Sequence, residues 1–209
     1  YREMNPNQYV REIYQNSVEA GAGQVRIGID FQAYEELKVE RGVILDNGPG
    51  IDHRIIAEKL NKMNSSGRDT GGVHQNFGIG LKISALPRNQ YGLVIICKTK
   101  EKPLGFMIWL HFDEGKVGLR HLVSHENAQD LLEEKVDEPT YDTVVDFEEV
   151  EKYYSSYTID GIDYMSWWDR QNAKQGAVYT SGTAIIFLGN DKKENTADSF
   201  LSEGVSFLT

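Results

Sequence analysis

The chain has 209 residues, 40% of them hydrophobic and 11% aromatic, enough to bury a substantial core as one large domain or a domain with an insertion. Its formal net charge of -10 excludes a broad non-specific nucleic-acid surface, which needs clustered Lys and Arg. The single cysteine, Cys97, excludes an internal disulfide, no apolar run approaches the roughly twenty residues of a membrane span, and the amino end is unlike a secretory signal, so a cytoplasmic setting is expected, or a nuclear one in a eukaryote.

Asn5 and Pro6 read as a helix cap and first helical residue, and Gly21 and Gly23 as helix-ending residues. Between them Val10, Ile13, Tyr14, Ser17 and Val18 recur at helical spacing and predict a helix with this stripe on the core. Glu12 and Asn16, four residues apart, can bring a carboxylate and an amide oxygen to one ion or water, or simply form a solvated face. Val25, Ile27, Ile29 and Phe31 alternate with Arg26, Gly28 and Asp30 and predict a half-buried strand, followed by a polar turn over 34–41. The next strand, Val43 to Leu45, delivers Asp46 to the run Asp46-Asn47-Gly48-Pro49-Gly50-Ile51. An acid at a strand end before two glycines can hold a ligand against backbone, although the same residues also make ordinary turns.

Asp52 can cap a helix in which Ile55, Ile56, Leu60 and Met63 supply apolar contacts, ending near Asn64. Residues 64–76 are rich in glycine and small polar residues and long enough to act as a lid. Phe77-Gly78-Ile79-Gly80-Leu81-Lys82 then opens a helix through Leu86, and glycines there let backbone amides approach a phosphate, with a plain loop-to-helix junction as the alternative. Lys59, Lys62, Arg68 and Lys82 gather positive charge near this region, whereas acidic residues concentrate between Glu126 and Glu151. Residues 93–99, 105–112 and 117–122 predict an antiparallel meander with Cys97 as a buried small hydrophobe. Residues 125–179 are acidic and aromatic, with helices expected near 128–135, 147–154 and 166–173, and Tyr153-Tyr154 and Trp167-Trp168 read as packing residues. A final strand runs from Thr183 to Leu188 behind Gly182. The histidines show no metal-ligand spacing, and no nucleophilic triad is evident.

Taken in order, these pieces resemble the GHKL ATPase superfamily of gyrase B, the heat-shock-ninety chaperones, histidine kinases and MutL, with relatives in topoisomerase VI and MORC proteins. Glu12 to Ala22 is similar to the first family box, closest to MutL, with Glu19 where an aspartate is usual. Asp46 to Ile51 is similar to the second box, Asn76 to Lys82 to the glycine box, and Gly182-Thr183 to the last motif. The resemblance covers about 5–123 and 181–188, leaving 124–180 as an acidic, aromatic-rich insertion within a single domain spanning 1–209.

The resemblance implies a two-layer α/β sandwich, the Bergerat ATP-binding fold, with helices on one face of a mixed, mainly antiparallel sheet. It assigns Asp46 to the adenine amino group, Gly50 to the space for the base and a bridging water, and Thr183 to the same polar set. Asn16 would supply an oxygen to magnesium and Glu12 would act as general base. Gly78 and Gly80 would present amides to the phosphates, with Lys82 adding charge. Ser65 and Ser66 become lid contacts, and Gly48, Ile51, Met63, Asn76, Phe77, Ile79 and Leu81 further nucleotide contacts. The implied cofactors are ATP and Mg2+. The implied partner is a second copy of the chain in an ATP-dependent homodimer, with DNA reached through other parts of a full-length protein and no membrane. The implied activity is slow ATP hydrolysis driving clamp closure in a DNA-processing machine. A chaperone-like clamp and a non-hydrolysing nucleotide-binding module are the alternatives.

Overall fold

The structure is a computed structural model of the chain, and it describes residues 8–52, 85–113, 116–120, 122–123, 141–152 and 154–197. The expected helix from Asp52 to Asn64, the lid-like loop, the glycine-led helix start and the helix near 128–135 lie outside the described residues.

Helix α1 (Gln8–Glu19) buries Tyr9, Val10, Ile13 and Ser17. Tyr14 and Val18, expected on the core face, are exposed. The buried row follows i, i+4, i+8 through 9, 13 and 17, and 14 and 18 lie about 100° further round the helix. The helix stops because Gly21 adopts φ +92°, and the Gly21 and Ala22 amides return to the Val18 and Ser17 carbonyls, a Schellman closure.

Strand β1 (Val25–Ile29) stops before Phe31, and the expected polar turn is instead helix α2 (Phe31–Leu37). The cause is Asp30, whose Oδ1 accepts from the Gln32 and Ala33 amides at 3.0 and 3.1 Å. Its polar side chain continued the strand alternation in sequence while capping a helix in space. Lys38, in the left-handed region at φ 59°, closes the other end of α2.

The principal sheet continues with β2 (Gly42–Asp46), β3 (Leu93–Lys98), β4 (Phe106–Asp113), β5 (Lys116–Leu119), β8 (Val144–Asp146) and β11 (Gly182–Phe187). Its order is β1-β2-β11-β3-β4-β5, with β8 also on β4, and every pairing among the described residues is antiparallel. Two small ribbons pair β6 (Leu122–Val123) with β7 (Tyr141–Asp142), and β9 (Thr158–Ile159) with β10 (Ile162–Asp163). The strand expected over 117–122 is therefore two strands. The Arg120 amide still donates in register to the Trp109 carbonyl at 2.8 Å, one step beyond the β5 pairing with β4, and its guanidinium lies 4.3 Å from the Trp109 ring centre.

Strand parity divides the core. Ile44, Ile95, Cys97, Ile185 and Phe187 point to the face covered by α1 and the 3-10 turn Leu86–Arg88. Val43, Leu45, Val94, Ile96, Ala184 and Ile186 point to the other face, where α2, α3 (Phe147–Glu151) and α4 (Tyr164–Gln175) pack. The mixed α/β class with a mainly antiparallel sheet holds, with the addition that helices cover both faces. Within 124–180, β8 joins the principal sheet while Trp167 and Trp168, both fully buried on α4, fill the second face. Among the described residues no helix is long and apolar enough to cross a membrane.

Candidate nucleotide-binding site

Because β2 alternates, Asp46 shares the α1 face of the sheet with Ile44, and Thr183 shares it with Ile185 on the neighbouring β11. Asp46 is 8% exposed. Its Oδ1 accepts the Gly48 amide at 2.8 Å and the Thr183 amide at 3.2 Å, while Oδ2 accepts the Ser17 hydroxyl at 2.9 Å. Burial pushes the carboxyl above its ordinary value, and these three donors pull it back. Oδ1 is occupied by backbone, and the lone-pair capacity that remains lies chiefly on Oδ2. A carboxylate fixed this way accepts a hydrogen bond from a ligand amine and repels a ligand carbonyl.

Two glycines make the corner possible. Gly182 has φ +141°, and a Cβ added there would lie 1.9 Å from the Asp46 carbonyl oxygen. Gly50 has φ +75°, and its added Cβ would lie 2.2 Å from the Lys98 carbonyl oxygen. The close approach of β3 thus demands glycine at position 50, a packing reason distinct from the space for a base that the resemblance assigns it. Gly48 packs beside Ala22, and its carbonyl accepts the Ser181 hydroxyl at 2.9 Å. Ile51 is half-buried, and its amide donates to the Cys97 sulfur.

Cys97 lies beneath this corner, its sulfur 4.0 Å from the Thr183 hydroxyl. Burial pushes its thiol up to about 12, so it is a packed neutral group, as its apolar run predicts.

On helix α1, Glu12 and Asn16 lie one turn apart and about 100° round the helix from the buried row that holds Ser17. Both are half-buried on successive turns, about 6 Å apart along the helix axis. Asn16 is adjacent to Ser17 in the chain, and Glu12 lies one helical turn before Asn16. Oxygen-only donors suit magnesium. Among the described residues no group of three or more His, Cys, Asp or Glu could hold a metal, so a cation at Asn16 would take most of its ligands from phosphate oxygens and water.

Glu12, Asn16, Asp46, Gly48, Gly50, Ile51 and Thr183 are the expected site residues within the described part of the chain. Asp46, Gly48 and Thr183 meet directly, with Gly50 and Ile51 against β3 beside them. Met63, Ser65, Ser66, Asn76, Phe77, Gly78, Ile79, Gly80, Leu81 and Lys82 lie outside the described residues. Sequence reasoning placed Ser17 in an apolar stripe, and a hydroxyl in such a stripe was the available signal that it serves a buried acceptor. Ser181 was missed although it precedes the Gly182-Thr183 motif.

The family model described as Histidine kinase-, DNA gyrase B-, and HSP90-like ATPase matches residues 4–141, about two thirds of the chain. Among curated proteins, nothing matches it.

Proposed function

The chain belongs to the histidine kinase-, DNA gyrase B- and HSP90-like ATPase family, and on that premise we propose that it binds ATP with magnesium, hydrolyses it slowly, and uses the cycle to gate association of two copies within a DNA-processing machine. The observation that carries the reading is the state of Asp46, buried, gripped at Oδ1 by two backbone amides and bonded at Oδ2, among the described residues, to the Ser17 hydroxyl, which can rotate. Adenine presents an amino group where guanine presents a carbonyl, so such an acceptor selects ATP by a hydrogen bond it would otherwise lose.

In this reading the Thr183 hydroxyl completes the polar set around the base. The Asn16 amide oxygen, one residue along α1 from Ser17, would face the phosphates. Asn16 would hold magnesium together with phosphate oxygens, and the ion would supply charge neutralisation of the triphosphate. Glu12 takes a proton from water, the water oxygen bonds to the terminal phosphorus, and the bond from that phosphorus to the bridging oxygen breaks to release ADP. Gly78 and Gly80, outside the described residues, keep the phosphate-holding role the resemblance gives them. Association of two copies rests on the resemblance to the family, and the link to DNA on the likeness of the Glu12 to Ala22 box to MutL and of the stretch from Asp46 to Lys82 to topoisomerase VI.

The test is Asp46→Asn. Asparagine keeps an oxygen for the Gly48 and Thr183 amides, so the turn persists, but an amide nitrogen now faces the adenine amine. ATP affinity should fall about 100-fold, the cost of an unmade bond to a buried charged acceptor. Calorimetry checks this, and unchanged affinity in a folded variant refutes the adenine assignment. Glu12→Ala should keep ATP binding and lose phosphate release.

A further inference from the structure

Beyond the residues 4–141 that match the family model, Tyr179, Ser181, Gly182 and Thr183 grip the base-reading turn from the far end of the chain. Trp168 Nε1 and Asn172 Nδ2, both on buried faces of α4, donate to the Tyr179 carbonyl at 2.7 and 3.0 Å. The Tyr179 hydroxyl donates to Gln24 Oε1 at 2.8 Å and accepts from Arg26 Nε at 2.9 Å, and Arg26 also donates to the Gln175 carbonyl at the end of α4. Gln24 is in turn fastened to the turn, its amide donating to Asn47 Oδ1 at 2.8 Å and its carbonyl accepting the Asn47 amide at 3.2 Å. Two residues on, Ser181 donates to the Gly48 carbonyl, Gly182 packs on the Asp46 carbonyl, and Thr183 donates to Asp46 Oδ1. The turn is thus held from the β1 side through Asn47 and from the β11 side through Gly48.

We infer that Tyr179 and Ser181 are positioning residues for nucleotide selectivity, so that α4, through the strap from 177 to 181, sets how sharply Asp46 distinguishes an adenine amine from a guanine carbonyl. This deepens the ATP reading and rests on it. Neither residue is assigned a nucleotide contact. Selectivity by one hydrogen bond depends on holding the acceptor to within about half an ångström, and a site of this kind loosens when the groups behind it are removed. Tyr179 is itself buried and its ring carries Arg26 at 5.6 Å, which gives the strap a fixed anchor on the face of the sheet opposite the site.

The experiment compares ATP and GTP affinity by calorimetry on the whole 209-residue chain, for Tyr179→Phe, Ser181→Ala, their combination, and Asp46→Asn. Each single change deletes one hydroxyl with little change of volume, so the singles remain informative if the double variant fails to fold. The expected result is an ATP-to-GTP affinity ratio about 10-fold lower in the double variant and lowered in each single, the fold-change of one weakened hydrogen bond. A merely structural strap would weaken both nucleotides alike and leave the ratio where it was. An unchanged ratio in folded strap variants, with the ratio collapsed in Asp46→Asn, overturns the strap inference alone. An unchanged ratio in Asp46→Asn overturns the adenine reading and the strap with it.

Discussion

Asp46 and Asp30 stand at opposite ends of the sheet, since β1 and β2 pair Val25 with Asp46 at one end and Ile29 with Gly42 at the other. Each is buried, each accepts two backbone amides at Oδ1, and burial raises the carboxyl of each above its ordinary value. Their third partners separate them. Asp30 takes Trp167 Nε1 at 3.0 Å, an anchor from the core of α4, and it is 0% exposed. Asp46 takes a hydroxyl from α1 and sits between glycines that bring three chain segments together. The far end is built from side chains: Arg41 is buried beside Asp30 and reaches the Lys192 carbonyl, and Asp160 holds Lys192 and the Tyr91 hydroxyl. The near end is built from backbone. Burial and a raised carboxyl therefore do not mark a site by themselves. A buried acid whose partners are turn amides can serve a ligand, and one whose partners are a helix start and a tryptophan serves the fold.

The comparison breaks first at Gly182. Alanine there must displace the Asp46 carbonyl and sit at a disfavoured φ, so Gly182→Ala should cost at least about 3 kcal/mol and abolish a sharp thermal transition. A cooperative transition within a few degrees of the parent would show that the near end is less tightly built than its backbone contacts imply. Next is Asp30→Ala, which removes the α2 cap and leaves Trp167 Nε1 buried without its partner, at a cost of about 3 kcal/mol in urea denaturation. ATP affinity of the folded fraction should hold, the mirror image of Asp46→Asn. If Asp30→Ala instead weakens ATP while sparing stability, the division of labour between the two ends is wrong.

The smallest effect is a pH slope. Both carboxyls are raised in the folded chain, chiefly by burial, so the native state binds their protons more tightly than the unfolded chain does. Their contribution to stability is complete below the ordinary value of 3.8 and is lost as pH rises through the raised native values. Asp30→Asn keeps the cap and removes one titration, so its unfolding free energy should decline less steeply than the parent's as pH rises above 3.8. Parallel slopes would place the Asp30 titration elsewhere.

The near end was legible because its signals are contiguous in sequence. Asp46, Gly48, Gly50 and Ile51 lie in six residues, Gly182-Thr183 opens a strand, and Glu12 and Asn16 share a helix face. The far end was not, because its members come from 30, 41, 91, 160 and 192 and no local pattern joins them. Asp30 shows the limit most directly, since an acid at an alternating position fits a strand as well as a cap until the chain's direction is known. Tyr179 was invisible for another reason. Its hydroxyl and ring act on residues 24–26 and its carbonyl on α4, and an aromatic at that position in sequence says only that something is buried.

Cys97 gives the near end one more property. It is the single cysteine of the chain, 0% exposed beneath Asp46, Thr183 and Ile51, with its thiol held neutral. An alkylating reagent can reach it only in molecules where this corner has opened, so the rate of its modification counts those openings directly. The unaltered protein thus carries its own chemical clock at the floor of the site, readable by intact mass, and any ligand that seats on the corner should slow it.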